Sequence, residues 1–487
     1  MLSRLRSHIA TILMYAAILI LAVNLGLALW VYARHAVMAV NFPYPLDYGE
    51  GPVLDQVLHL AHGEAIYRST ISTLPYTVTN YPPLYLLLQE PLARSLGLAL
   101  WYGRVISIVS LVLAAVFLGL TIFELSRDPL AAATGSLLMF AIPYFVNISV
   151  LDRVDTLALA LSWAGLYTLV RWPDRRMGIV AVGLLFSASI FTQQTYLLVA
   201  PMTALTWLLQ TRRVRPAVEL LAVTGVTCVA LFVGMNALTR GGFALNLLTY
   251  TTNPWSYSLV AGKLIEIGFN TFFLGLIALA FFIGERLDMP TRTWPFVLPY
   301  FLAALLISLI VGKTGPSDQT MFELAAALCL VSGAAMAWMK NPWARMVLLV
   351  LLSMQVNSLL SWTGTDYQPK FAEKFADQTE IASLDGIIRG ADGPILADET
   401  MGLLPLAGKQ VYYQPFEFSQ LAQAGLWDPA PLIQAVTQQK FSAVLVYFPP
   451  DFRIIQARWS DQFLRTVSEA YANTQTLAYT LVFMPKK

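Results

Sequence analysis

Apolar runs of about twenty residues recur along this chain from its N-terminus to about residue 362, and no other feature narrows the possible folds as far. In hydrocarbon every backbone N–H and C=O must find its partner within the protein, so runs of that length read as membrane-spanning helices. The first, "MLSRLRSHIATILMYAAILILAVNLGLALW", begins with basic residues, is too long for a cleavable signal and is followed by no small-residue cleavage site. Further spans are expected at roughly 100–124, 129–149, 155–171, 176–193, 195–210, 216–239, 264–284, 295–312, 319–339 and 342–362, about eleven helices in all. Hydrophobic residues make up 57% of the 487 and charged residues 12%, with mean hydropathy +0.61, which excludes a water-soluble globular protein. A net charge of +2 gives no reason to expect nucleic acid as a partner. Cys228 and Cys329 lie inside apolar runs and read as small core residues.

Cytoplasmic loops collect Lys and Arg, and one orientation satisfies that rule. With the N-terminus inside an inner (plasma) membrane, the cytoplasmic side holds Arg4, Arg6, Arg127, Arg171, Arg175, Arg176, Arg212, Arg213, Arg215, Arg286, Arg292, Lys340 and Arg345. The opposite loops then carry "LDYGEGP", "LDRVD", "FTQQT", "TRGGFALN" and "GKTGPSD". The uncommon polar residues therefore gather on one outer face.

Two units are expected: a transmembrane module, 1–362, and an extracytoplasmic domain, 363–487. The loop after the first span, about 40–100, is far longer than an ordinary connection. It contains two short helical candidates that would form a shelf at the interface. "PVLDQVLHLAHG" has Pro52 at a first helical position and Gly63 as a cap; "PPLYLLLQEPLAR" is too short to span and is expected to break at Pro91. Past Trp362 the composition turns polar, and the strand-like runs "PILADE", "QVYYQPF", "SAVLVYF" and "TLAYTLVFMP" alternate with helical stretches such as "DPAPLIQAVTQQK". That pattern predicts a small soluble α/β unit with no phosphate loop or hydrolase elbow.

Carboxylates at membrane level are costly, about 2.5–3.5 kcal/mol at a helix centre and less near water, so those present call for an explanation. Asp47 and Glu50 begin the long loop; Asp152 and Asp155 in "VLDRVDTLAL" stand where another span enters from the same side. Two acids from separate loops, one a general base and the other orienting it or binding a metal, would suit activation of a hydroxyl. The plain alternatives are an Asx turn at Asp47 and helix N-caps at Asp152 or Asp155. Asp55, His59 and His62 follow i, i+4, i+7 spacing, compatible with a divalent cation or with a polar face toward water. Arg104, Arg153, Arg240, Lys263 and Lys313 lie at a height where they could hold a lipid-linked phosphate or anchor to headgroups. Gln193 and Gln194 could hydrogen-bond sugar hydroxyls or satisfy backbone at a helix break.

The ordered set "LDYGEGP", "LHLAHGEAIYR", "NYPPLYLLL", Arg104 in "WYGRVIS", "VLDRVDTLALALSWAGLYTL", "FTQQTYLLVAPMTALTWLL" and "GPSDQTMFELAAAL" resembles membrane-embedded glycosyltransferases of the GT-C fold. That superfamily includes protein O-mannosyltransferases and lipid A aminoarabinose transferases. The resemblance implies a polyprenyl-phosphate-linked sugar donor, dolichyl-phosphate-mannose-like, a lipid, glycan or protein acceptor in the cell envelope, and inversion at the anomeric carbon. It implies Asp47 as general base, Glu50 beside it, and Asp155 as second-loop acid with Asp152 as neighbour. Arg104 then matches an Arg near the shelf, and Tyr81 in "NYPPLYLLL" lines the substrate site. One departure is Gln193, where family members commonly carry Lys in a "TKQ"-like stretch; the phosphate charge then falls to Arg240, Lys263, Lys313 or a divalent metal. The competing readings are a lipid or sugar transporter or flippase, which often shows inverted repeats and broken helices near the midplane, and a non-catalytic assembly subunit.

Overall fold

A forty-residue helix, α1 (Leu2–Asn41), opens the chain and delivers the acidic loop to one end of a helical bundle. The structure, a computed structural model, describes residues 2–287, 293–313, 315, 318–363 and 369–486. Arg292, Thr314, Pro316, Ser317 and the segment 364–368 at the expected boundary between units lie outside the described residues.

The loop holds α2 (Glu50–Ala61) and α3 (Leu84–Leu96). The bundle continues with α4 (Trp101–Ser126), α5 (Pro129–Leu138), α6 (Pro143–Ile148), α7 (Asp155–Arg171), α8 (Arg176–Ile190), α9 (Val199–Gln210), α10 (Val214–Leu238), α11 (Gly242–Ala244), α12 (Tyr257–Asn270), α13 (Phe272–Leu287), α14 (Trp294–Ser308), α15 (Phe322–Trp338) and α16 (Pro342–Thr363). Among the described residues 6 helices are long and apolar enough to cross a membrane, or up to 7 if α12 and α13, bent by 89°, count together. This is the architecture of an integral, multi-pass membrane protein, with fewer unbroken spans than the eleven expected. Hydropathy counts apolar residues and misses where the backbone turns: the 129–149 run divides into α5 and α6 at Pro143, and a 3-10 turn, Gln194–Leu197, precedes α9.

At the centre stands α15, 94% of whose apolar window is buried. Its face of Ala325, Ala326, Ser332, Gly333 and Ala334 keeps side chains short, and small residues let membrane helices approach closely where dispersion, not the hydrophobic effect, holds them. By contrast α10 is 11% buried and turns Val218, Leu221, Val226 and Val229 outward, as a helix facing lipid would.

The shelf helices differ from expectation at their ends. α2 starts at Glu50, two residues before Pro52, and stops at Ala61, with Gly63 just beyond at φ 75°. α3 runs through Pro91 instead of breaking there; Pro91 is exposed, and the Ser95 hydroxyl donates to its carbonyl at 2.7 Å.

After α16 come α17 (Pro369–Ala376), α18 (Gln378–Gly390), α19 (Leu403–Leu406), α20 (Pro415–Gln423), α21 (Ala430–Thr437), α22 (Phe452–Arg458) and α23 (Asp461–Ala470) around a four-stranded sheet of order β1-β2-β4-β3. β1 (Ile395–Ala397) pairs parallel with β2 (Ala443–Tyr447); β3 (Tyr471–Leu477) and β4 (Thr480–Pro485) form a hairpin whose β4 runs antiparallel to β2. "QVYYQPF" does not join this sheet: Tyr413 instead makes a parallel bridge with Tyr76 of the long loop, with Tyr76 N donating to Tyr412 O at 2.7 Å and Gln414 N to Tyr76 O at 3.0 Å. The loop and the C-terminal unit thereby share backbone hydrogen bonds.

Candidate active site

The turn Pro43–Glu50 places two carboxylates on opposite sides of the same backbone. Asp47 Oδ1 accepts the Gly49 N–H at 2.6 Å, so the Asx turn forms, and the same oxygen accepts Arg153 Nη1 at 3.2 Å. A Cβ at Gly49 would fall 2.3 Å from Arg153 Nη1, so a side chain there would displace the guanidinium. Arg153 also reaches Asp155, Nε to Oδ2 at 3.4 Å, and so stands between the two acids. Burial alone would lower its pKa, but Tyr81, Asp47 and Asp155 outweigh that and hold the guanidinium charged. Asp155 is the first residue of α7 and makes no side-chain cap; Gln193 approaches it, yet its Oδ1 completes no hydrogen bond among the described residues. The Tyr81 hydroxyl lies within electrostatic reach of Arg153, Asp155, Glu417 and Asp47, and burial raises its pKa.

Glu50 points the other way. Its carboxylate takes Arg104 Nε at 2.8 Å and Nη2 at 2.7 Å, both side chains fully buried. It also accepts Leu46 N at 2.7 Å and Asp152 N at 2.9 Å. Arg104 spends its other protons on the carbonyls of Ala39 and Phe42 at 2.6 Å and Tyr44 at 2.8 Å. This bidentate pair ties the end of α1, the turn, α4 and the Asp152 loop together, and with those donors it has little capacity left for a substrate. Asp152 sits beside it, accepting Tyr85 OH and Gln89 Nε2 from α3, each at 2.8 Å. Burial, with the Glu50 charge adding, pushes its carboxyl up to about 7.

The remaining candidates lie apart. His59 contacts Asp55 at 3.7 Å and hydrogen-bonds Glu64, while His62 follows the last residue of α2 and is exposed. Burial raises the Asp55 carboxyl to about 6. Among the described residues no group of three or more His, Cys, Asp or Glu is arranged to hold a metal ion, so the expected Asp55, His59, His62 set does not converge. His59 is instead engaged by Asp55 and Glu64, and His62 faces outward. Arg240 is exposed at the end of α10; Lys263 is held by Glu266 at 2.8 Å and lies over the Tyr144 ring; Lys313 is exposed and bridges in backbone to Trp255. Gln194 donates to Asn80 O at 3.0 Å, closing the loop onto the turn before α9.

Two groups were missed in the sequence. Glu417 and Arg458 of the C-terminal unit meet Tyr48, beside Asp47: Tyr48 OH donates to Glu417 Oε2 at 2.6 Å, and Arg458 lies 4.5 Å over its ring. Glu323 of α15, inside "GPSDQTMFELAAAL", is buried and hydrogen-bonded by Tyr300. Only an acid within an apolar run could have signalled Glu323; nothing local signals the other pair.

No family model matches the sequence, and no curated protein is similar to it. Solved structures are. ArnT from Cupriavidus metallidurans superposes with TM-score 0.63 at 13% identity, over 95% of this chain and 97% of that one; the same protein bound to undecaprenyl phosphate gives 0.62. The archaeal oligosaccharyltransferase AglB from Archaeoglobus fulgidus, in complex with an inhibitory peptide and a dolichol-phosphate, gives 0.53 at 12% identity over 94% and 74%. Arabinofuranosyltransferase AftD from mycobacteria gives 0.51 at 14% over 96% and 40%. All three are GT-C glycosyltransferases, and the chain described here has the GT-C fold.

Proposed function

We propose that this protein transfers a sugar from a polyprenyl-phosphate-linked donor to an acceptor hydroxyl, with inversion, at the membrane face where α1 ends. The observation that carries the reading is the Asp47–Arg153–Asp155 group at the end of the bundle where α1 delivers the acidic loop, with the side chains of Asp47 and Arg153 still partly exposed. Asp47 takes the proton of the acceptor hydroxyl as its oxygen attacks the anomeric carbon. The bond from that carbon to the phosphate oxygen breaks, and the polyprenyl phosphate departs with the electron pair. Arg153 keeps Asp47 ionised before the reaction and is the cation nearest the developing phosphate charge. Asp155 and Tyr81 orient Arg153, and Gln193 offers an amide to sugar hydroxyls. The undecaprenyl and dolichol phosphates bound in two structures of this fold support the donor class. The reading puts the N-terminus in the cytoplasm and the C-terminal unit outside the plasma membrane, contacting lipid, glycan or protein acceptors.

The test is transfer from a panel of radiolabelled polyprenyl-phosphate sugars by protein in lipid nanodiscs, with membrane extract as acceptor. Asp47→Asn is expected to lose 10²–10⁴-fold or more, about the contribution of a general base. Equal turnover by a folded variant would remove Asp47 from the chemistry, and no turnover with any donor would favour a transporter or an assembly subunit.

A further inference from the structure

The Asp47 turn is gripped from a direction the membrane module does not supply. Tyr48, between Asp47 and Gly49, sends its hydroxyl into the C-terminal unit, where Glu417 Oε2 accepts it at 2.6 Å and Phe416 N donates back to it at 3.3 Å. The face of its ring is covered by Arg458. Arg458 is itself fixed by Glu399 at 2.8 Å, which Lys374 contacts at 3.2 Å, so the guanidinium cannot swing away without breaking a buried ion pair. Three residues on from Tyr48, Gly51 lies against Gly402: a Cβ on Gly51 would fall 2.5 Å from Met401 Cγ and 3.0 Å from Gly402 N. One side chain and one backbone crossing therefore pin both ends of a four-residue stretch, Tyr48 to Gly51, to α19, α20 and α22.

We infer that Tyr48, Glu417 and Arg458 form a positioning clamp through which the C-terminal unit sets the orientation of Asp47. Glu417 is a positioning residue because its Oε2 is occupied by Tyr48. The Tyr48 phenol is held at its far end by the Glu417 carboxyl and a backbone N–H, and at its near end it is joined through the backbone to Asp47. Without the clamp the Asx turn and the Arg153 contact would remain, but the turn as a whole could shift, and small displacements of a reacting group are costly. The C-terminal unit would then be required for turnover even if it never touches the sugar.

The inference rests in part on the Asp47 reading, so the experiment has one arm that needs no activity. Hydrogen exchange at the Gly49, Glu50 and Gly51 amides is followed in full-length protein in nanodiscs. Tyr48→Phe and Glu417→Ala are expected to accelerate exchange by about tenfold or more, while Glu417→Gln, which keeps a carbonyl acceptor for the phenol, stays near wild type. In the second arm Tyr48→Phe and Glu417→Ala lower kcat by roughly tenfold with donor KM unchanged, Glu417→Gln stays near wild type, and the Tyr48→Phe, Glu417→Ala double variant is no worse than either single change. Unchanged exchange in Tyr48→Phe would overturn the clamp. Fully additive losses, or Glu417→Gln as damaging as Glu417→Ala, would also overturn it, by showing that Glu417 acts independently of Tyr48. Changed exchange in a protein without transfer activity would keep the clamp and sink the glycosyltransferase reading instead.

Discussion

Two arginine–carboxylate groups grow from the same short turn, and they are built to opposite specifications. Arg104 and Glu50 are sealed from solvent and meet through two parallel hydrogen bonds, with backbone groups taking up the rest of both side chains. Arg153 shares itself between Asp47 and Asp155 at 3.2 and 3.4 Å, and the side chains of Arg153 and Asp47 stay 10% and 13% exposed. The first group is saturated; in the second, Asp155 Oδ1 completes no hydrogen bond among the described residues. A carboxylate three residues from a catalytic candidate is thus the element that fixes the turn, and the two neighbouring acids divide into a joint and a candidate site.

The largest effect that could break this contrast is on stability. Removing one partner of the sealed pair, by Glu50→Gln or Arg104→Met, is expected to cost about 3–5 kcal/mol, because a buried charge is left uncompensated. Thermal unfolding in nanodiscs checks it, and a midpoint unchanged from wild type would mean that the joint is not structural. Arg153→Ala should cost less stability than either of those, because the side chains of Arg153 and Asp47 are partly exposed, while lowering transfer by roughly 10²–10³-fold, the range for losing one donor to developing charge. If Arg153→Ala unfolds the protein as Glu50→Gln does, the two groups are not different in kind.

The smallest effect sharpens the boundary between them at Asp152. Its folded carboxyl, pushed up to about 7 by burial, holds a proton that the unfolded chain, near about 4, releases. The folded state binds more protons across that window, so this group's contribution to stability falls as pH rises from about 4 to about 7 and is flat above. Asp152→Asn keeps an acceptor for Tyr85 and Gln89 and removes the slope. Unfolding midpoints at pH 5 and pH 8 should therefore differ more in wild type than in the variant, and equal differences would show that Asp152 is not titrating there.

Much of this was legible in the residues. Costly acids at a membrane lip pointed to Asp47 and Asp155, and Arg153 lay between Asp152 and Asp155 in the quoted stretch. What misled was proximity along the chain. Glu50 and Asp152 looked like partners of their neighbours until the backbone turned them toward Arg104, Tyr85 and Gln89. Asp55, His59 and His62 had helical spacing, but among the described residues they form no group that could hold a metal ion, and His59 turns to Glu64. The clamp had no local trace at all, since Tyr48 and Glu417 are 369 residues apart.

The sequence by itself determined that this chain crosses a membrane repeatedly, because hydrocarbon admits no unpaired backbone and apolar length is written residue by residue. It also determined where the expensive carboxylates stand along the chain. Only the tertiary structure decided which of them is sealed and which is partly exposed, because that depends on which distant groups reach each oxygen. Hydrogen-bond capacity is a property of a filled space, and the residues that fill this one come from the loop, from α3, α4 and α7, and from the C-terminal unit.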